Sequence, residues 1–191
     1  MIELEKKLLL TKDEYEYLMA CFGYDGSLVR KAIVKQINYY YDTDDLSMNR
    51  QNTTCRIRLK NGTYKGTMKQ HLPNLEHSTE SEMEIYDGLN SNAFTKMGLK
   101  LKGSLVTERC CIFKDTECEV VIDKNEYLAV TDYELEIEYF PGFEQRAEDI
   151  FKMITDYLVQ LTSNSASCYA ERATKTPSKS ERFFERYSHV E

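Results

Sequence analysis

Residues 131–139, TDYELEIEY, alternate acidic side chains with apolar or aromatic ones. Because successive side chains of a β-strand point to opposite faces, this stretch predicts a strand with one apolar face and one acidic face. The acidic face carries Glu134, Glu136 and Glu138, which follow one another about 7 Å apart and repel unless cations lie between them. Such a strand needs an apolar core on one side and partners for its charges on the other.

Seven further stretches show a similar strand-like pattern, and each predicts a strand. They span residues 2–8, 32–42, 54–60, 63–70, 78–86, 105–113 and 117–123. Asn61-Gly62, which separates two of them, is a strong signal for a tight hairpin turn. Short turns join strands that run in opposite directions, so the sequence predicts a largely antiparallel sheet of about eight strands.

Three stretches have helical spacing. Thr11-Lys-Asp-Glu14 matches the capping box that begins a helix, residues 143–161 carry a continuous apolar stripe, and residues 92–101 form a short candidate. The chain has only 3 Pro and 8 Gly, which leaves little linker material. We therefore expect one domain over residues 1–191, with a C-terminal helical appendage from about residue 162.

The second face of the predicted sheet is charged, and the sign of the charge is sorted by strand. In chain order the strands carry Glu3, Glu5 and Lys7; Arg56, Arg58 and Lys60; Lys65 and Lys69; Glu82 and Glu84; and the glutamates of residues 131–139. A solvated outer face with cross-strand salt bridges is one interpretation. The alternative places this face in the interior, where the sorted charges meet a ligand.

The second interpretation predicts an α+β fold, mainly antiparallel β: an eight-stranded closed β-barrel tunnel with helices packed outside. About eight strands can close around one small ligand. Clustered carboxylates bind hard cations such as Mg²⁺ or Mn²⁺ through oxygen, and Arg and Lys bind phosphoryl oxygens. An interior with both groups suits a chain of phosphates.

Composition excludes several other classes of protein. The 191 residues carry a formal net charge of −7, and the pI is about 5.2, which argues against a protein that coats nucleic acid. No stretch approaches the roughly 18 apolar residues of a membrane span, and the first residues lack the apolar core of a secretory signal. The six cysteines form no CxxC pair. We expect a cytoplasmic protein with no membrane or nucleic-acid partner.

Seen together, these motifs resemble those of the CYTH superfamily, the triphosphate tunnel metalloenzymes. In chain order they are Glu3-Leu-Glu5-Lys-Lys7, Tyr40-Tyr41-Asp42-Thr43, Arg56-Ile-Arg58, Thr67-Met-Lys69, Glu82-Met-Glu84, Arg109, Asp123 and Glu134-Leu-Glu136-Ile-Glu138. The ExExK motif alone is a weak signal, but the ordered set spans the whole chain. Where family members often have a basic residue just before the middle ExE motif, this chain has Glu80 and Ser81.

The resemblance implies an eight-stranded tunnel enzyme that acts on a small-molecule triphosphate with Mg²⁺ or Mn²⁺, and it is compatible with a homodimer. The implied metal ligands are Glu3, Glu5, Glu134, Glu136 and Glu138, and which two of the last three match the family's pair stays open. The implied phosphate-binding residues are Lys7, Arg56, Arg58, Lys69, Arg109, Lys179 and Arg182. The implied catalytic residues are Glu5, Lys7, Arg56 and Arg58, and the further tunnel residues are Lys65, Glu82, Glu84 and Asp123.

Two questions stay open at this stage. Lys179 and Arg182 belong either to a terminal helix that brings cations to the tunnel mouth or to a basic surface segment. The function is either hydrolysis of inorganic triphosphate or a simple organic triphosphate, cyclisation of ATP by a class IV-type adenylate cyclase, or non-catalytic binding of polyphosphate or a nucleotide. We favour the metal-dependent triphosphatase, because a mere anion binder gains nothing from so many inward glutamates.

Overall fold

The computed structural model describes residues 4–24, 31–71 and 78–190. In these residues the chain forms eight strands and five helices. The strands are β1 (Leu4–Leu10), β2 (Ile33–Asp42), β3 (Thr53–Lys60), β4 (Thr63–His71), β5 (Ser78–Ile85), β6 (Lys100–Lys114), β7 (Cys118–Tyr127) and β8 (Val130–Tyr139). The helices are α1 (Lys12–Phe22), α2 (Ser47–Arg50), α3 (Glu144–Leu161), α4 (Ala166–Thr174) and α5 (Lys179–Val190).

All eight strands belong to one antiparallel sheet, in the order β1-β8-β7-β6-β2-β3-β4-β5. The antiparallel sheet with helices outside that the sequence predicts is therefore confirmed. The predicted hairpin lies between β3 and β4, where Lys60 pairs with Thr63. Asn61 and Gly62 both have positive φ, 51° and 77°, as the tight turns that suit twisted strands require.

One detail differs from the closed barrel that we expected. Within the described residues, no backbone pairing joins β5 to β1, so the hydrogen-bonded ladder is open. The C-terminal segment occupies part of the free edge of β1, because the Leu9 N–H donates to Thr176 Oγ1 at 3.2 Å and Arg172 donates to the Leu9 carbonyl at 2.6 Å. The sheet still curves far enough for Lys69 on β4 to lie 3.9 Å from Glu5 on β1.

The main hydrophobic core lies on the outer face of the sheet, beneath α1, α3 and α4. Its fully buried members include Leu8, Ile122, Leu135 and Leu158, each 0% exposed. The predicted capping box at Thr11 and Glu14 is present at the start of α1, and the predicted helix over residues 143–161 is present as α3. The apolar side of the alternation is thus buried against helices, which leaves the charged side facing inward. None of the described helices is long and apolar enough to cross a membrane.

The predicted helix over residues 92–101 is wrong. The region contains one short 3-10 turn, at Thr95–Met97, and β6 begins at Lys100. Phe94 and Leu99 are 1% and 3% exposed but Met97 is 53% exposed, so Met97 does not pack inward with Phe94 as a helix would require. Gly98 then turns the chain with a φ of 76°. Without a continuous buried face, a helix as short as this is not stable.

The last helix packs on a different part of the sheet. Phe183 and Phe184 of α5 join Tyr40, Leu105 and Tyr127 in a separate apolar cluster. A Cβ atom at Gly103 would lie 2.9 Å from Phe183 Cζ, so the glycine allows the ring to approach the sheet closely. This packing brings the first residues of α5 to the inner face of the sheet.

Candidate active site

The charged inner face of the sheet lines a cavity of about 480 Å³. Seven cationic side chains among the described residues line it, namely Lys7, Arg56, Arg58, Lys60, Lys69, Arg109 and Lys179. Five glutamates line it too, namely Glu5, Glu82, Glu119, Glu136 and Glu138. The described lining is therefore net positive, by seven minus five, although the whole chain carries −7. Net charge alone would have concealed this local balance.

The structure brings most of the predicted site residues together. Those that line the cavity are Glu5, Lys7, Arg56, Arg58, Lys69, Glu82, Arg109, Glu136, Glu138 and Lys179. Asp123, Glu134 and Arg182 are buried in ion pairs beside it. Lys65 pairs with Glu82 at 3.3 Å, with both side chains more than half exposed, and Glu84 is exposed and accepts from the Tyr86 hydroxyl. Glu3 lies outside the described residues.

One side of the cavity is an acidic wall, formed by Glu5, Glu119, Glu136 and Glu138. Glu138 stands directly opposite Glu5 in one strand pair and opposite Glu119 in the other. Burial raises the pKa of Glu138, the charges of Glu136, Glu119 and Glu5 raise it further, and Arg109 opposes them only in part. Like charges that face one another destabilise a sheet, so this wall favours a bound cation.

Arg109 forms ion pairs both with the acidic wall and with Asp123, which is buried beside the cavity. Its guanidinium donates to both oxygens of Asp123, at 3.0 and 2.7 Å, and also pairs with Glu136 and with Glu138 at 3.3 Å. Burial disfavours the charge, but Asp123 and Glu136 outweigh it and raise the pKa of Arg109 above its usual value. This bidentate geometry holds Arg109 in one orientation.

Lys179, from the start of α5, is surrounded by three carboxylates. Its Nζ lies 3.0 Å from Asp123, 2.8 Å from Glu134 and 2.7 Å from Glu136. Burial opposes ionisation of Glu136, but Lys179, Arg109 and Lys7 outweigh it and hold the pKa of that carboxyl well below its usual range. The structure thus places the Lys179 side chain in the lining of the cavity, which agrees with the first of the two interpretations of this segment.

Arg182 lies one turn further along α5 and has a different position. It is 7% exposed, and it donates to Glu134 and Asp132 at 2.8 and 2.9 Å. The arginine is therefore committed to carboxylates of β8. Together, Arg109, Lys179 and Arg182 with Asp123, Asp132, Glu134 and Glu136 form a buried ion-pair network.

The opposite side of the cavity is a basic wall, formed by Arg56, Arg58, Lys60 and Lys69 on β3 and β4. Arg58 Nε donates to Asn38 Oδ1 at 2.9 Å, a neutral acceptor. Burial, Arg56 and Arg109 together lower the pKa of Arg58 to about 10. This is the reverse of the shift at Arg109, and it means that the charge of Arg58 is poorly compensated by the protein.

Several lining residues were not assigned to the site in the sequence analysis, although it placed Lys60 on the charged face and Tyr40 in one of the motifs. They are Gln36, Tyr40, Thr54, Lys60, Glu119, Ser178 and Ser180. The period of two residues could have placed Gln36 and Tyr40 on one face of β2, and Glu119 on the face of Asp123. Ser178 and Ser180 had no such signal, because their position depends on how α5 packs against the sheet.

The donor set of the acidic wall fits a hard divalent cation by its chemistry. Carboxylate oxygens are the ligands that Mg²⁺ and Mn²⁺ prefer, and the mutual repulsion at Glu138 is relieved by positive charge. Among the described residues, no group of three or more potential ligands is close enough to form a ready metal centre. Glu5 and Glu136 are paired with Lys7 and Lys179 at 2.7 Å, so a metal would share these carboxylates with lysines.

A curved antiparallel sheet with an inward charged face and two opposed walls is the arrangement that the sequence motifs predict. Residues 1–168 match the CYTH domain family, and the chain belongs to that family. It is 30% identical over 160 residues to YjbK of Bacillus subtilis (strain 168), which is named as a candidate triphosphatase; the match covers 76% of this chain and 81% of that protein.

Solved structures show the same fold. Bh2851 from Bacillus halodurans, named as a candidate adenylate cyclase, has 23% identity and a TM-score of 0.66, with 96% of this chain and 97% of that chain covered. HpAC1 from Hippeastrum, named as a candidate adenylyl cyclase with a dominant triphosphatase activity, has 16% identity and a TM-score of 0.61, with 93% and 97% covered. At these identities the likeness is one of fold.

Proposed function

We propose that this protein hydrolyses the terminal phosphoanhydride bond of inorganic triphosphate or a simple organic triphosphate, with Mg²⁺ or Mn²⁺. The observation that carries the proposal is the opposition of the basic and acidic walls across one cavity. A triphosphate carries several negative charges that repel an attacking nucleophile, so its hydrolysis depends mainly on positioning and on neutralisation of charge.

The residues divide this task between the two walls. Arg56, Arg58 and Lys69 would bind phosphoryl oxygens, with Arg able to do so through two parallel hydrogen bonds. Lys7 would bind a phosphate oxygen from β1, where burial disfavours its charge but Glu5 and Glu136 raise its pKa and keep it protonated. Glu5, Glu136 and Glu138 would hold the divalent cation, which supplies further neutralisation when bound.

The residue types that line the cavity also indicate which kind of substrate fits it. Among the described lining residues, none is aliphatic and Tyr40 is the single aromatic one. A nucleobase needs apolar or aromatic surface to stack on, whereas a phosphate chain needs the charged groups that are present. This lining supports hydrolysis of a triphosphate over cyclisation of ATP, in line with the name of YjbK.

The test is a comparison of substrates with matched variants of two neighbouring lysines. The purified protein is offered inorganic triphosphate, thiamine triphosphate, ATP and pyrophosphate with Mg²⁺, with Mn²⁺ and with EDTA, and released phosphate and cyclic AMP are measured. Lys7→Met removes a cation from the cavity. Lys6→Met removes one from the outer face of the same strand, where Lys6 pairs with Glu148 and lies 4.4 Å from the centre of the Phe151 ring.

We expect phosphate release from triphosphate that EDTA abolishes. Loss of one phosphate contact lowers kcat/KM by about 100-fold, so Lys7→Met should show this loss and Lys6→Met should not. Cyclic AMP as the main product would replace the proposal with a cyclase. Tight binding of triphosphate without turnover would replace it with a binding protein.

A further inference from the structure

Gln36 on β2 is a buried amide on the inner face of the sheet, and the proposed function leaves it without a role. Gln36 is 2% exposed and lines the cavity between the two walls. Within residues 4–24, 31–71 and 78–190, its Oε1 atom has no hydrogen-bond partner. A buried carbonyl oxygen without a partner is destabilising, so a ligand that donates a hydrogen to it removes a penalty.

The neighbours of Gln36 in the sheet are satisfied differently. Gln36 pairs with Thr107 on β6 and with Lys60 on β3. The Thr107 hydroxyl donates to Asn125 at 2.7 Å, and the Lys60 ammonium, although it is a donor, makes no hydrogen bond to Gln36 Oε1. Two positions away on either side of Gln36, Val34 pairs with Arg109 and Asn38 pairs with Arg58. In the strand register, Gln36 therefore lies diagonally between Arg109 on β6 and Arg58 on β3.

Lysine and arginine donors line the cavity, but among the described residues none makes a hydrogen bond to this oxygen, so a bound molecule has to supply the donor. An ionised triphosphate has only acceptor oxygens, so the phosphate chain itself does not satisfy Gln36 Oε1. The water that attacks the terminal phosphorus does donate, and it must direct a lone pair at phosphorus while its hydrogens point to acceptors. Two carboxylates of the acidic wall already accept from cations, Glu5 from Lys7 and Glu136 from Lys179, each at 2.7 Å.

We propose that Gln36 is a positioning residue whose Oε1 accepts a hydrogen bond from the water that attacks the terminal phosphoryl group. The inference rests on the proposed hydrolysis. The water oxygen forms the new bond to phosphorus, the bridging P–O bond breaks, and its electron pair leaves on the diphosphate. The water proton passes to a non-bridging oxygen of the released phosphate and then to solvent. Gln36 takes no proton, because a neutral amide is not a base near pH 7.

The test separates orientation of water from binding of phosphate. Gln36→Met keeps the length of the side chain and removes the acceptor. Thr107→Val is the matched control, because it removes a buried polar group at the paired position of the neighbouring strand. For each protein, kcat and KM are measured with inorganic triphosphate and Mg²⁺, the Kd of imidotriphosphate is measured by calorimetry, and Tm is recorded.

We expect Gln36→Met to lower kcat by about 10- to 100-fold, with KM and Kd changed by less than about threefold. Its Tm should not fall, since an unsatisfied buried acceptor is removed. Thr107→Val should keep kcat within about twofold. Unchanged kcat in Gln36→Met, or a Kd that weakens as much as kcat falls, would overturn the assignment. Wild-type protein that releases no phosphate would overturn the proposed function as well, which distinguishes the two failures.

Discussion

The two walls of the cavity differ in how the protein treats their charges. On the acidic side, Arg109 and Lys179 pair with Asp123 and Glu136 in the buried ion-pair network. On the basic side, Arg58 donates to a neutral amide. The pKa of Arg109 is raised, while that of Arg58 is lowered to about 10. Neighbouring carboxylates therefore compensate the charge of Arg109, whereas the charge of Arg58 in the same cavity is poorly compensated.

This difference distinguishes residues that hold the site in shape from residues that bind a ligand. The buried ion-pair network fixes side chains before any ligand arrives, because each charge in it has opposite charges within hydrogen-bonding distance. A poorly compensated cation instead carries a desolvation penalty that a polyanion relieves on binding. We therefore expect substitutions in the network to act on stability and substitutions in the basic wall to act on binding.

Arg109→Met should give the largest loss of stability. It leaves Asp123, which is 0% exposed, without its bidentate partner, and breaking a buried pair of this kind costs about 3–5 kcal/mol. Urea unfolding followed by circular dichroism measures the free energy of unfolding. A loss below about 1 kcal/mol would contradict the view that the network is scaffold.

Arg58→Met should instead lower activity and spare stability. Loss of a phosphate contact in an enclosed site lowers kcat/KM for triphosphate by about 100- to 1000-fold. The free energy of unfolding should stay level or rise, because the variant removes a poorly compensated charge. A variant that unfolds as readily as Arg109→Met would remove the distinction between the two walls.

Gly103→Ala tests how α5 holds Lys179 against the acidic wall. The new Cβ would meet Phe183 at 2.9 Å, and the φ of 154° is one that side chains rarely adopt. We expect a loss of about 1–3 kcal/mol in the free energy of unfolding. The chain contains no tryptophan whose fluorescence could be followed. Protease cleavage within α5 therefore reports whether the helix has detached from the sheet. Cleavage at the wild-type rate would show that α5 packs without this glycine.

Glu14→Gln supplies a reference outside the tunnel and should have the smallest effect. Burial disfavours the charge of Glu14, but Arg172, the Thr11 backbone and Tyr169 outweigh it and lower its pKa below 4.5. A carboxyl with a lowered folded-state pKa stabilises above its unfolded value and loses that contribution as pH falls through the folded one. The variant should therefore lose about 1–2 kcal/mol at pH 7 and progressively less below about pH 4.5. An equal loss at pH 7 and pH 3 would contradict this origin.

The sequence predicted the fold because its decisive signal is local. Alternation in residues 131–139 and the Asn61-Gly62 turn each depend only on neighbours in the chain, and the structure places both as expected. The assignment of one domain with an appendage from about residue 162 stays a prediction.

The candidate site was predictable in its residues but less so in their partners. Arg58 and Arg109 look alike in sequence, and only the folded arrangement pairs one with Asp123 and the other with Asn38. The position of Lys179 depends on the packing of Phe183 against Gly103, far away in the chain. Contacts of this kind have no periodic signal.

The most direct test of the two-wall account is the thermal stabilisation of the protein by a triphosphate that it cannot hydrolyse. Tm is recorded against increasing imidotriphosphate for the wild-type protein and for Arg58→Met. A ligand that binds only the folded state raises Tm with its concentration. We predict a steady rise for the wild-type protein and little or none for Arg58→Met. An equal rise in both proteins, or no rise in the wild-type protein, would contradict the claim that the basic wall awaits a polyanion.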